Sequence, residues 1–202
     1  MYNKMMITKT IQFYNENAES YFKSTATVDF TSTYNRFLKY IPEHGSIIDM
    51  GCGSGRDVSA FARMGYEAVG LDASEKLAEI AMKESGESVI IADMSSWVAD
   101  KPFDGIWCCA SLLHLQDEEL RSVVANFEKN LKPGGAIFIS VKSGIETGVD
   151  EKGRYMRNFT EKELEDLLTF ANISVTEKWE TKDKLAREDF YWINMIGIRD
   201  KT

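Results

Sequence analysis

Ile47-Ile48-Asp49-Met50-Gly51-Cys52-Gly53-Ser54-Gly55 decides how this chain is read. An apolar run ends in an acid, bends through three alternating glycines, and gives way at 58–64 to an amphipathic helical pattern. That is the strand, turn and helix of a first crossover in a parallel α/β sheet. Glycines at such a bend take turn conformations closed to other residues and let the backbone approach a ligand closely. The spacing here is G-x-G-x-G. A dinucleotide fingerprint would need its third glycine where Arg56 stands, and a phosphate-binding P-loop would need Gly-Lys-Ser/Thr, which is absent. Taken alone, the bend also suits a tight turn with no ligand.

Downstream, short apolar runs alternate with helical stretches: strands at 46–50, 68–71 and 89–91, helices at 58–64 and 76–83. That rhythm predicts a parallel sheet with helices on its faces. It continues as a strand at 105–109 and a helix at 117–131, with Asp117, Glu118 and Glu119 where the dipole favours acids. Pro133-Gly134-Gly135 is expected to end this helix and turn into a strand at 136–141. The polar stretch 142–158 reads as a loop long enough to be a lid, and Thr160-Glu161-Lys162-Glu163 as a capping box opening a helix to about Phe170. Strands at 173–180 and 190–198, joined by a short charged link, should pair as a hairpin with one strand antiparallel to the rest.

Upstream, residues 8–40 read as helical with a break at 24–27. Ile11, Tyr14, Ala18, Tyr21 and Phe22 share one face, while Tyr34, Phe37, Leu38 and Ile41 share another that stops before Pro42. The 202 residues suit one domain, 1–202, with a helical cap at 1–42 and an α/β core at 43–202.

Composition narrows the function. With 24 Lys and Arg against 32 Asp and Glu, the net charge is −8 and no basic run tracks phosphates, so no nucleic-acid partner is expected. Cys52, Cys108 and Cys109, with His44 and His114, have neither disulfide nor zinc spacing, so no metal and a reducing, cytoplasmic setting are expected. The first ten residues lack a signal-peptide core and no run approaches the roughly 18–20 apolar residues of a membrane span, so no membrane partner is expected.

Two acids follow the next strand tips. Asp72, in Val69-Gly70-Leu71-Asp72, lies about 20 residues past the first glycine, where an acid can accept both ribose hydroxyls. Asp93, in Ile90-Ile91-Ala92-Asp93-Met94, can accept from an adenine amino group while the Met94 N–H donates to the ring. Either acid alone also reads as a helix cap. Two at successive strand ends, after the glycine bend, are harder to explain that way.

With Asp49 to Gly55, Asp72, Asp93-Met94, Phe103-Asp104 and Leu131-Lys132-Pro133-Gly134-Gly135 in place, the chain resembles the class I S-adenosylmethionine-dependent methyltransferases, of the small bacterial, small-molecule type. The resemblance implies a Rossmann-like three-layer α/β/α sandwich. Its seven-stranded, mostly parallel sheet would run 3-2-1-4-5-7-6 with strand 7 antiparallel, under an N-terminal helical cap. It also implies S-adenosyl-L-methionine as cofactor: Asp49 and Gly51 face its methionine part, Asp72 the ribose, Asp93 and Met94 the adenine, and the Cys109 backbone the amino group. Cys52, Gly53 and Ala73 complete that lining. After the fourth strand, Cys108-Cys109-Ala110-Ser111-Leu112-Leu113-His114 lacks the Asn/Asp-Pro-Pro-aromatic motif of enzymes that methylate amino groups of bases or glutamine.

The methyl acceptor is therefore expected to be a small molecule, and the protein a monomer or homodimer. Tyr14 and Tyr21 are candidates to hold a sulfonium by cation–π attraction, with plain helix packing as the alternative. His114 is the candidate catalytic base, or merely a wall. Arg154, Tyr155 and Arg157 suit either an anionic substrate or a solvated loop. Cys108 and Cys109 read as core, and Trp179, Phe190 and Trp192 as hairpin packing. An NAD(P)-dependent oxidoreductase and a non-catalytic S-adenosylmethionine-binding protein are the rival readings.

Overall fold

The chain, in a computed structural model, is described for residues 2–183 and 190–201. Three strands form the middle of the sheet: β1 (Ser46–Met50), flanked by β2 (Glu67–Asp72) and β4 (Phe103–Cys109), all parallel. β3 (Val89–Ile91) lies outside β2, and β5 (Leu131–Ser143) outside β4. The closing hairpin pairs β8 (Ile173–Lys182) with β9 (Tyr191–Arg199), and β9 runs antiparallel to β5. The order is 3-2-1-4-5-9-8. Leaving out the short ribbon of β6 (Gly148–Val149) and β7 (Tyr155–Met156), this is the expected 3-2-1-4-5-7-6.

Crossover helices α4 (Arg56–Arg63) and α5 (Glu75–Ser85) cover one face; α6 (Asp117–Asn130) and α7 (Glu161–Phe170) cover the other. The first face is built on Trp107, which stacks on Phe138 at 4.0 Å and meets Tyr34, Phe37 and Phe61 edge-on or tilted. Each such fully buried side chain contributes about 1.5–3 kcal/mol of apolar transfer.

The N-terminal segment is three helices rather than two: α1 (Tyr2–Glu16), α2 (Ala18–Thr25) and α3 (Thr31–Phe37). The unexpected break is at Asn17, whose side chain donates to the Phe13 carbonyl at 2.8 Å and competes with the helical ladder. α3 enters the core through Tyr34 and Phe37, whereas α1 and α2 lie against α5 beside the strand tips.

Two further expectations are corrected. Pro133-Gly134-Gly135 does not end α6, which stops at Asn130. Leu131 already faces Phe103, and Ala136 next faces Gly105, so residues 132–135 bulge out within β5. Gly134 has φ +77°, which a bulge of this kind requires. Residues 142–158 are not an open loop either. β5 runs on to Ser143, and the β6–β7 ribbon turns at Asp150, whose Oδ1 accepts from the N–H groups of Lys152 and Arg154 at 3.0 and 2.9 Å. Arg157 N–H then docks on the Leu113 carbonyl at 2.8 Å. Thr160 does cap α7, accepting from Glu163 N–H at 3.2 Å, but the Glu163 carboxylate binds Arg157 instead of completing the box. The link between β8 and β9 falls mostly outside the described residues.

Candidate functional site

The glycine bend is held from behind by β2. Gly51 and Cys52 N–H both donate to the Leu71 carbonyl, at 2.7 and 3.0 Å. Gly51 has φ +81°, and a Cβ there would lie 2.4 Å from the Ser111 Cβ, so only glycine lets the bend pass this close to the segment after β4. Asp72 locks the next turn: its Oδ2 accepts from Gly53 N–H and its Oδ1 from Ser74 N–H, both at 2.8 Å. Each oxygen retains lone-pair capacity for a ligand hydroxyl. Burial raises the Asp72 pKa from its ordinary value, and the backbone donors offset part of that rise. Ser74 caps α5 and donates to Asn15 at 2.7 Å, which ties α1 over the cleft.

A cavity of about 100 Å³ opens in front of these strand tips. Tyr14, Tyr21, Gly51, Gly53, Asp72, Ala73, Asp93 and Met94, all candidates from the sequence, line it. Asp93 also caps its own turn, Oδ1 accepting from Ser95 N–H at 2.8 Å. Cys52 is turned away: its Sγ would be 2.8 Å from a Cβ at Gly70, inside the core. Cys109 lines a different cavity, described below. Asp49 is buried under the bend, 2% exposed, and its Oδ2 has no hydrogen-bond partner among the described residues. Desolvation above all, and then the nearby Asp57 charge, raise its pKa well above the usual carboxylate range. Ile11, on the helix face shared with Tyr14 and Tyr21, also lines the cleft, as do Thr10, Leu77, Ser111 and Leu115, to which the sequence assigns no role.

A second cavity of about 130 Å³ adjoins the first. Both are lined by Tyr14, Tyr21, Ala110 and His114, so these four residues mark the seam. Ala110 adopts φ +58°, a strained conformation for alanine, while its N–H donates to Ser140 at 2.9 Å. At the seam runs a chain of hydrogen bonds. The Tyr155 carbonyl can only accept, so His114 Nδ1 carries the proton and donates to it at 2.8 Å. His114 Nε2 therefore accepts from the Tyr14 hydroxyl at 2.8 Å, and that hydroxyl accepts from Arg154 Nη1 at 3.3 Å. Desolvation, with Arg154 and Lys142 adding to it, pushes the His114 pKa down to about 4. Burial pushes the Tyr14 and Tyr21 phenols up, so both stay neutral.

Arg56 was read only as the residue that spoils a dinucleotide motif, yet it reaches the second cavity. It grips Asp57 through Nε and Nη2, at 2.6 and 2.8 Å, and lies 4.1 Å above the Phe30 ring. Asp57 also accepts from Tyr34 at 2.5 Å and Trp107 at 2.8 Å, and these bonds with Arg56 hold its carboxyl below its ordinary pKa despite burial. Of the lid candidates, Arg154 lines the second cavity with one edge on Asp150, while Arg157 is spent on Asp117 and Glu163. Trp192, expected only to pack the hairpin, lines this cavity too. Cys108 is core, as expected, whereas Cys109 is half-buried at the second cavity; burial raises both thiols above their ordinary pKa. Among the described residues no three His, Cys, Asp or Glu side chains cluster to hold a metal, and no helix is long and apolar enough to cross a membrane.

Residues 47–135 match a family model described as a methyltransferase domain. Among curated relatives, a ubiquinone biosynthesis O-methyltransferase of Methylococcus capsulatus is 36% identical over 115 residues, covering 51% of this chain and 48% of the relative. A dTDP-4-amino-2,3,4,6-tetradeoxy-D-glucose N,N-dimethyltransferase of Saccharopolyspora spinosa is 32% identical over 102 residues, covering 49% and 41%. The chain thus spans less than half the length of these two relatives. Among solved structures, the 1,6-didemethyltoxoflavin-N1-methyltransferase of Burkholderia thailandensis, with 1,6-didemethyltoxoflavin and S-adenosylhomocysteine bound, superposes with TM-score 0.79 over 98% of this chain and 89% of its own. At 19% identity this is a likeness of fold.

Proposed function

We propose that this chain, whose residues 47–135 match a methyltransferase-domain family model, is an S-adenosylmethionine-dependent enzyme methylating a small molecule. One observation carries the reading: a cavity over the glycine bend, with carboxylates at its strand tips, meets a second cavity at Tyr14, Tyr21, Ala110 and His114. The first suits the methyl donor, with Asp72 on the ribose, Asp93 and Met94 at the adenine, and the unpartnered Asp49 Oδ2 toward the amino group. Cys52 and Cys109 would serve through their backbones rather than their thiols. Each relative's acceptor belongs to that relative, and the second cavity is this chain's own acceptor site.

When bound, the donor supplies an activated methyl group: the acceptor's lone pair bonds to the methyl carbon as the carbon–sulfur bond breaks and its electrons stay on sulfur. The protein's work is alignment and exclusion of water. Tyr14 and Tyr21 present neutral rings at the seam, where a sulfonium gains on the order of 0.5–2 kcal/mol. His114 holds Tyr14 in place and, with a pKa of about 4, does not take up the acceptor's proton near neutrality. Of the two roles open to it in the sequence, base or wall, this favours a wall that positions Tyr14. Both cavities are lined by one chain, so monomer and homodimer are equally able to work. Three unbridged cysteines suit a cytoplasmic setting.

Calorimetric titration with S-adenosylhomocysteine, with NADH as control, tests the donor site. Micromolar binding of the first alone is expected; tighter NADH binding would restore the oxidoreductase reading. Release of S-adenosylhomocysteine with a panel of phenols, acids and amines tests transfer, and binding without turnover on any of them would favour a binding-only protein.

A further inference from the structure

We propose that the acceptor is a planar organic anion, held in the second cavity by the spare guanidinium edge of Arg56 together with Lys142 and Arg154. This rests on reading that cavity as the acceptor site. The chain carries 32 acids against 24 bases, yet among the described residues the cavity is lined by Arg56, Lys142, Arg154 and Lys182 against a single acid, Asp183. The acids paired with the two arginines, Asp57 and Asp150, stand behind the wall and do not line the cavity.

Arg56 is the sharpest of these groups. Its side chain is 19% exposed and that of Asp57 6%. Asp57 fixes Nε and Nη2, and Phe30 backs the guanidinium plane, whereas Nη1 has no hydrogen-bond partner among the described residues. A nearly dry cation with an unspent donor is stabilised by an anion that reaches it. The cations bracket the seam. Arg56 acts electrostatically on Tyr21, and Arg154 and Lys142 on His114. The walls between them are Tyr14, Tyr21, Phe30 and Trp192, flat faces suited to a flat ligand. An acceptor whose negative charge is delocalised onto the attacking atom also has no proton to lose there, which matches a seam whose only imidazole stays neutral and is occupied by Tyr14.

The test is calorimetry on the full chain saturated with S-adenosylhomocysteine, titrated with 2-naphthoate and its neutral counterpart 2-naphthamide. The acid should bind about tenfold or more tighter, as charge-assisted hydrogen bonds do. Arg56→Gln should abolish that preference, with binding of S-adenosylhomocysteine reporting that the variant is folded. If it does not fold, Lys142→Met should reduce the preference instead. Equal affinity for acid and amide, binding of neither, or a preference that survives every folded variant overturns the proposal. Should S-adenosylhomocysteine itself not bind, the methyl-transfer reading falls separately, and the same pair titrated into the unliganded protein still decides the anion site.

Discussion

The two cavities that meet at Tyr14 and His114 are built in opposite ways. The first takes its glycine bend and its carboxylates from three strand tips, within residues 49–94, so order along the chain becomes order in space. The second gathers Phe30, Arg56, Lys142, Arg154 and Trp192 from loop, helix, strand, ribbon and hairpin. A parallel sheet leaves successive tips side by side at its switch point, so topology alone fixes the first site. The second is fixed by packing between distant elements, and it can vary while the first stays intact. Variants that strike one cavity should therefore spare the other.

Asp72→Ala should have the largest effect. It removes the carboxylate expected at the ribose and also frees Gly53 and Ser74 N–H, so affinity for S-adenosylhomocysteine should fall on the order of 10- to 100-fold. Binding of 2-naphthoate should change far less. Unchanged S-adenosylhomocysteine affinity by calorimetry would break the comparison at its root.

Next comes Gly51→Ala, which meets both a positive φ and the Ser111 Cβ. It should cost about 1–3 kcal/mol of stability in urea denaturation and lower affinity for S-adenosylhomocysteine with it. Gly86→Ala separates the two causes, since Gly86 has φ +77° but open space around its Cβ position. That variant should lose stability yet bind normally; equal binding loss in both would mean that the close approach at Gly51 is irrelevant.

The same contrast explains what the sequence discloses. β1 lies at 46–50 as read, and Asp72 and Asp93 sit at their tips, because period, glycine and acid act over a few residues. Parallel pairing follows from the alternation of strand and helix, and the sheet order from the family resemblance. The bulge at 132–135 escapes because Pro-Gly-Gly reads the same whether it stops a helix or kinks a strand. The β6–β7 ribbon escapes because two-residue strands have no period to detect. Arg56 did leave a trace. A cation at the first residue of α4 opposes the helix dipole, which calls for a nearby acid such as Asp57. Lys142, Arg154 and Trp192 left none, since only tertiary packing brings them together.

Smaller effects sharpen the account of the seam. The folded His114 pKa, about 4, lies below its unfolded value near 6.5, so folding favours the neutral ring. Between those values the unfolded chain binds more protons, and stability falls as pH drops from about 6.5 toward 4. The loss should be on the order of 3 kcal/mol and should be missing in His114→Asn, whose amide can still donate to Tyr155 and accept from Tyr14. Parallel stability–pH curves for the two proteins would show that His114 is not held neutral by the fold.

Arg154→Gln should have the smallest effect and is the most discriminating. Desolvation is the main cause of the low His114 pKa, and Arg154 adds to it by its charge, while Asp150 opposes it. Losing the guanidinium removes one depressing charge and leaves the Asp150 carboxylate without its partner, so both changes move the imidazole pKa up from about 4 toward its ordinary value. Titration of the imidazole C–H resonances reads this shift directly. Because Arg154 lines the second cavity and not the first, affinity for S-adenosylhomocysteine should stay nearly constant while the resonance moves. If donor affinity instead falls as far as it does in Asp72→Ala, the ribbon supports both cavities, and the division between a site set by topology and one set by packing fails at the residue where it is most exposed.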